Sequence, residues 1–230
     1  MESTRGDTKS VRAVPGGAGA PKLRAPRGAA EGRLPEKETE RLLLRQFSPD
    51  DLCELARIFG DARVMEYIGI HGGPITREET EVALRSIIAH WGRHGFGRWA
   101  AVHKEEGRLI GYCGLRALGE YAELVYLLDH PYWGRGLATE MARATLAFGF
   151  EQKSFDRIVG MTRPGNAASR RVLEKVGMSY RQTLQFFRHM AETGTPCANA
   201  GGCEDFDVVR YEISRAEYWR QWGRGLRREQ

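Results

Sequence analysis

Residues 130–150, "HPYWGRGLATEMARATLAFGF", place an aromatic pair, a glycine-spaced turn and a helical pattern in immediate succession. Gly134 and Gly136 carry no Cβ, so a ligand can come close to the main chain, and the amides opening the next helix have no intrahelical acceptors. Such a turn is a natural cradle for phosphate. An isolated G-x-G also serves simply to turn a strand into a helix, so the surrounding sequence has to decide between the two.

Before this turn "AELVYLLD" reads as a strand; after it "LATEMARATLAFGFEQ" reads as a helix and "RIVGMT" as another apolar strand. A helical crossover makes those two strands parallel. Upstream, "GRWAAVHK", a turn at "EEGR" and "LIGYCGL" form an antiparallel hairpin. Thr76 and Glu79 make a capping box for the helix before it, and Ser48, Pro49 and Asp51 open a shorter helix after the strand "TERLLLRQF". Downstream, "PGNAASRRVLEKVG" is a helix with Asn166 as its cap and Gly177 just past its end. A final strand pair, "SYRQTLQFF" and "DVVRYEIS", is split by residues 189–205, a loop long enough either to border a site or to be a surface insertion. A dinucleotide fingerprint fits poorly. Its third glycine falls on Thr139, and the acidic Asp156 precedes the second strand instead of following it, which leaves NAD a minor alternative.

Composition narrows the class. The 230 residues are 41% apolar, enough for one sizeable core. Residues 1–36 hold six Gly and four Pro with scarcely a large apolar side chain, and read as a disordered tail before a folded body at 37–218. The net charge of +5 sits at the ends: +3 in that tail and +3 in the last sixteen residues, including a basic C-terminal tail at 219–230, leaving −1 between them. The body therefore shows no broad positive surface demanding nucleic acid. With no secretory core or membrane-length apolar run in the sequence, a cytoplasmic location is expected, with no membrane partner. Cys53 and Cys113 fall in apolar patterns as small core residues, while Cys197 and Cys203 lie in a Gly- and Ala-rich loop that cannot close a four-ligand zinc site. His71, His90 and His94 have no ligand spacing, so no metal is expected.

With these residues in view, residues 38–218 resemble the GNAT acetyltransferase superfamily, and within it the RimJ/RimL-like group, most specifically through "YWGRGLATE" and "NAASRRVLEKVGM". The resemblance implies an α+β fold: a mixed, mostly antiparallel sheet flanked by helices, with a splayed parallel strand pair forming the acyl-CoA cleft. It implies acetyl-CoA as cosubstrate, held by the amides of Trp133, Gly134, Arg135, Gly136, Leu137 and Ala138, with Arg135 as a cation at the rim. The family's signature begins with Arg or Gln where this chain has Trp133, a departure that main-chain binding tolerates. Leu127 and Leu128 are implied as main-chain contacts for the pantetheine arm.

The same resemblance assigns the chemistry. Glu123, on the strand lining the cleft, is the candidate acceptor of the amine proton, with Asp129 as a weaker substitute. Asn166 and Ser169 match the N-x-x-S pattern of the CoA-binding helix, where the Ser169 hydroxyl can approach the thioester sulfur; the tyrosine acid of many relatives is here Leu173. Tyr67, Phe96 and Trp99 are candidate walls for an amine acceptor, a protein N-terminus or a small amine, in a monomer or homodimer. A non-catalytic acyl-CoA-binding sensor or interaction module is the alternative reading.

Overall fold

Two apolar faces alternate along the strands, and each is covered by its own helices. The computed structural model describes residues 36–68, 72–186 and 206–223. Its strands are β1 (Lys37–Glu38), β2 (Leu42–Arg45), β3 (Arg98–His103), β4 (Arg108–Leu118), β5 (Tyr121–Leu128), β6 (Arg157–Thr162), β7 (Ser179–Phe186) and β8 (Phe206–Ser214). They form one sheet in the order β1-β2-β3-β4-β5-β6-β8-β7, antiparallel throughout except for the parallel neighbours β5 and β6. This is the mixed sheet that the sequence led us to expect. The helices are α1 (Leu52–Phe59), α2 (Ala62–Met65), α3 (Arg77–His94), α4 (Leu137–Ala147), α5 (Ala167–Lys175) and α6 (Arg215–Trp222).

On one face, Leu55 and Ile58 of α1, Val64 and Met65 of α2, and Leu84 and Ile87 of α3 bury Ala100, Tyr112 and Leu127. On the other, Leu137, Met141 and Leu146 of α4 and Leu173 of α5 cover Trp99, Cys113, Leu115, Leu124 and Ile158. Each buried side chain of this size is worth about 1.5–3 kcal/mol relative to exposure, so helices on both faces secure the sheet that carries the cleft. Phe96 and Trp99 belong to this second core, where Trp99 packs edge-on against Phe148 with centroids 4.7 Å apart and Phe96 against Phe155 at 5.1 Å.

Local signals act as read. The Ser48/Asp51 and Thr76/Glu79 capping boxes both close, and Asn166 Oδ1 accepts from the Ser169 amide at 3.0 Å. Three features differ. The short α2 was not anticipated. A helix, α6, crosses the boundary expected at 218, because a Ser214/Glu217 capping box starts it and Tyr218 stacks on Phe150 at 4.8 Å. Cys53 is exposed beside Arg77, whereas Cys113 is buried 3.1 Å from Thr145 Oγ1, its thiol pushed up to about 12 by burial. Residues 1–35, His71, the loop at 189–205 with Cys197 and Cys203, and 224–230 lie outside the described residues. Among those described, no helix is long and apolar enough to cross a membrane.

Helix α3 is fastened to the end of β4 by one imidazole. His90 Nδ1 lies 2.8 Å from the Phe96 carbonyl and its Nε2 accepts the Ala117 amide at 3.1 Å, so the tautomer with the proton on Nδ1 satisfies both. Burial holds His90 down at about 4, against an ordinary 6.5. The native state therefore refuses a proton that the unfolded chain accepts, and stability falls as pH drops from about 6.5 towards about 4. In urea titrations at about pH 7.5 and about pH 5, the wild type should lose more of its midpoint than His90→Gln does, although the variant starts lower. An equal loss in both would count against this assignment.

Candidate active site

Strand β5 leads into the glycine turn through a single 3-10 turn at His130–Tyr132. The Trp133 amide closes that turn on the His130 carbonyl at 3.1 Å, so it is spent; the row of open amides begins one residue later than expected. Gly134 and Gly136 adopt φ of 74° and 81°, a left-handed backbone that costs an L-residue about 1–2 kcal/mol. A Cβ on Gly134 would meet nothing within 4 Å, and one on Gly136 only Arg41 Nη2 at 3.6 Å. Glycine is thus required for conformation more than for room. Among the described residues, the amides of Gly134, Arg135, Gly136, Leu137, Ala138 and Thr139 donate to no protein acceptor; the Glu140 amide is the first to turn back, to the Gly136 carbonyl at 3.1 Å. Six consecutive donors at the positive end of α4 fit a pyrophosphate.

Arg41, which the sequence alone does not single out, holds this turn in place. Its Nη1 donates to the Arg135 carbonyl at 2.9 Å, and its backbone and guanidinium grip both oxygens of Glu140 on α4 at 2.8 Å. The Arg135 guanidinium sits over the Tyr132 ring at 5.3 Å.

The cleft begins where strand pairing stops. β5 and β6 are in register only at Ala122–Ile158 and Glu123–Val159, although β5 runs on to Leu128 and β6 to Thr162. Beyond Glu123 each strand keeps only its outer partner, β4 or β8. The Leu115 and Ala117 amides bond away from β5, to the Gly97 carbonyl and to His90, so alternation turns the backbone groups of Leu124, Tyr126 and Leu128 towards the gap. Leu127 is corrected accordingly: its carbonyl points at β4, where it would overlap any Cβ on Gly111. The Leu128 carbonyl faces the gap but already accepts the Trp133 indole Nε1 at 2.8 Å. Trp133, 45% exposed, therefore ties the turn to the strand at the site of the signature's departure.

At the other end of the gap, Glu123 is 3% exposed on the α1–α3 face, and both Nε and Nη2 of Arg116 converge on its Oε2, Nε at 2.8 Å. Burial works against the Arg116 charge, and Glu123 more than offsets it, raising the guanidinium above its ordinary value. Glu123 Oε1 takes no hydrogen bond among the described residues. Asp129 is committed elsewhere, to Arg57 at 2.6 Å. On the opposite wall Ser169, in the first turn of α5, meets Tyr126: the phenol lies 2.9 Å from both the carbonyl and Oγ of Ser169, and burial pushes it well above the ordinary tyrosine value. The sequence alone does not single out Tyr126. Leu173 is 1% exposed against β6, so no acid stands at that position.

Tyr67 follows α2 and reaches across to the β6–α5 loop, where a methyl built on Gly165 would lie 3.6 Å from its ring. It borders the mouth of the cleft. Phe96 and Trp99 do not join it: the pleat turns Trp99 onto the α4–α6 face, and it is its neighbour Arg98 that lies on the face carrying Glu123. Among the described residues no group of three or more His, Cys, Asp or Glu is arranged around a metal position.

The Acetyltransferase (GNAT) domain family matches residues 41–179, which take in the turn, the splayed strands and α5. YkkB of Bacillus subtilis (strain 168) is 33% identical over 153 residues, covering 64% of this chain and 87% of YkkB. The crystal structure of an acetyltransferase (GNAT family) from Bacillus anthracis is 26% identical with a TM-score of 0.65, over 79% of this chain and 99% of that one. RimL, a ribosomal L7/L12 alpha-N-protein acetyltransferase solved in complex with coenzyme A, shares the fold at 16% identity and a TM-score of 0.60, over 79% of this chain and 97% of RimL. A family match over more than half of the chain, on a sheet splayed beside a row of open amides, makes this protein a member of the GNAT acetyltransferase superfamily and an acyltransferase.

Proposed function

We propose that this protein is an acetyl-CoA-dependent N-acetyltransferase in which a primary amine, on a protein N-terminus or a small molecule, attacks the thioester directly in a ternary complex. The observation that carries this reading is the loss of β5–β6 pairing after Glu123, with open amides at one end of the gap and the Glu123 carboxylate at the other. Gly134 to Thr139 would hold the pyrophosphate through the main chain, and Leu124 and Tyr126 would bond the pantetheine arm. Bound acetyl-CoA supplies the activated acyl group. The chain's part is to orient the amine, take its proton and stabilise the departing sulfur.

Arg116 occupies Oε2, so Oε1 is the oxygen left to receive the amine proton, directly or through one water. Tyr126 has a single proton: donated to the Ser169 carbonyl it leaves the phenol accepting from Oγ, and rotated to Oγ it frees the serine proton for the sulfur. The raised phenol stays protonated and serves as a hydrogen-bond donor. A non-catalytic acyl-CoA sensor would use the same cradle; what favours it is the buried Leu173 and the Arg116 clamp that already engages Glu123.

Acetyl-CoA should raise the melting temperature while NAD does not. Gly136→Val should weaken CoA binding about tenfold, because a β-branched residue cannot hold φ near 81° without moving the amides. Unchanged affinity in the folded variant would make the turn structural only. In a free-thiol assay over amines and peptides with varied N-terminal residues, Glu123→Gln should bind CoA normally in calorimetry. It should turn over about a hundredfold more slowly and recover partly at high pH, as more amine is neutral. Ser169→Ala should lose about tenfold in turnover, and Tyr126→Phe should add little on top of it if the two hydroxyls act as one donor. Full activity of Glu123→Gln at every pH would remove its role, and a wild type that binds CoA yet acetylates no amine would establish the sensor.

A further inference from the structure

On the face that carries Glu123, one position is bare and the residue beside it is an uncommitted cation. Arg98 on β3, Gly114 on β4 and Val125 on β5 stand in one row across the sheet, next to the row of Arg116 and Glu123. Val125 lies just past the point where β5 and β6 part. With strands about 4.8 Å apart, the Arg98 Cα is about 10 Å from that of Val125, a gap that an arginine side chain largely covers. No side chain stands between them, because the backbone of Gly97 and Arg98 occupies the place that any Cβ on Gly114 would take. The Arg98 guanidinium leans over β4, 5.5 Å from the centre of the Tyr112 ring.

Apart from that ring contact, the Arg98 guanidinium makes no hydrogen bond and no ion pair among the described residues. Arg116, the other cation of the cluster, is already neutralised by Glu123. Two guanidiniums against one carboxylate leave one positive charge in excess beside the mouth of the cleft. Burial disfavours that charge on Arg98, the neighbouring Arg116 disfavours it further, and Glu123 and Tyr112 do not make up the deficit. A planar five-donor fork in partly buried surroundings is matched by a compact carboxylate that can accept two parallel bonds.

We infer that Arg98 recognises a carboxylate on the acceptor, so that the amines this site selects are amino acids and related amino carboxylates, not polyamines or neutral amines. With no side chain at Gly114 to separate them, a carboxylate can meet the Arg98 guanidinium while the amine of the same molecule faces Glu123. The inference rests on the acetyl-transfer reading for the reaction, and on Arg98 and Gly114 alone for the selectivity.

The test uses the full chain and a set of amino acids, each with its carboxamide and its decarboxylated amine. Turnover with acetyl-CoA is measured by thiol release, and binding by calorimetry with CoA present. The wild type should prefer the acid to its carboxamide by about tenfold or more in kcat/KM. Arg98→Gln should abolish that preference by raising KM far more for the acid than for the carboxamide, with CoA affinity unchanged, and Arg98→Lys should restore part of it. Equal use of acid and carboxamide by the wild type, or an equal loss for both in Arg98→Gln, overturns the inference. Should Arg98→Gln not fold, the wild-type ratio and the lysine variant still decide. Acid binding that depends on Arg98 without any turnover would keep the carboxylate site and refute acetyl transfer. Acetylation of carboxylate-free amines alone, or no binding of any acid, would refute the carboxylate site.

Discussion

Everything distinctive in this molecule depends on two strands that pair for two residues and then part. A parallel ladder normally satisfies its backbone along its whole length; here β5 and β6 meet at Ala122–Ile158 and Glu123–Val159 and no further. The unpaired stretch can persist because each strand is secured on its far side, β5 along all of β4 and β6 along β8, and because α4 and its π-helical extension at Phe148–Gln152 cover one face. Backbone groups that would elsewhere be spent on the sheet are thereby available to a ligand. The enzyme's binding surface is in this sense an interruption of its own secondary structure, bounded by Glu123 where pairing ends and by the Trp133–Leu128 bond where the turn begins.

The polar groups at the two ends of this gap are set by different physics. At the glycine turn the donors are backbone amides, whose direction follows from two left-handed φ values and from Arg41 gripping the turn and Glu140 together. At Glu123 the groups are side chains on one face of a pleated sheet, and their surroundings are set by cross-strand neighbours. Arg116 lies directly opposite Glu123, and Arg98 is one strand further out across a glycine. The first arrangement tolerates a change of side chain such as tryptophan at position 133. The second does not, since moving any of the three charges by one residue carries it to the other face.

That difference also explains what could be read in advance. Element order, the capping boxes and the parallel crossover were legible because each is written in a few adjacent residues: Thr76 with Glu79, Asn166 with Ser169, two glycines before a helix. The acceptor side was not. Trp99 was taken for a wall and Arg98 passed over, a miss of one residue that the pleat converts into opposite faces of the sheet. Leu127 and Tyr126 exchange roles for the same reason, since only register tells which backbone groups face the gap. Arg41, Arg116 and Tyr126 gain their meaning from partners 99, 7 and 43 positions away, for which no local pattern exists. Helix α6 was missed because its basic residues resemble a tail until Ser214 and Glu217 are seen to cap it.

The six open amides of the turn have a further consequence, for the dynamics that solvent can see. Protection against hydrogen–deuterium exchange comes from a bonded N–H, and Gly134 to Thr139 have none within the protein, although they adjoin a helix whose later amides are bonded from Glu140 onward. In the free protein these six form a patch of fast exchange inside an otherwise slowly exchanging stretch. A ligand that occupies them slows just that patch, so the exchange pattern along α4 reads out the state of the cradle residue by residue, without any catalytic turnover.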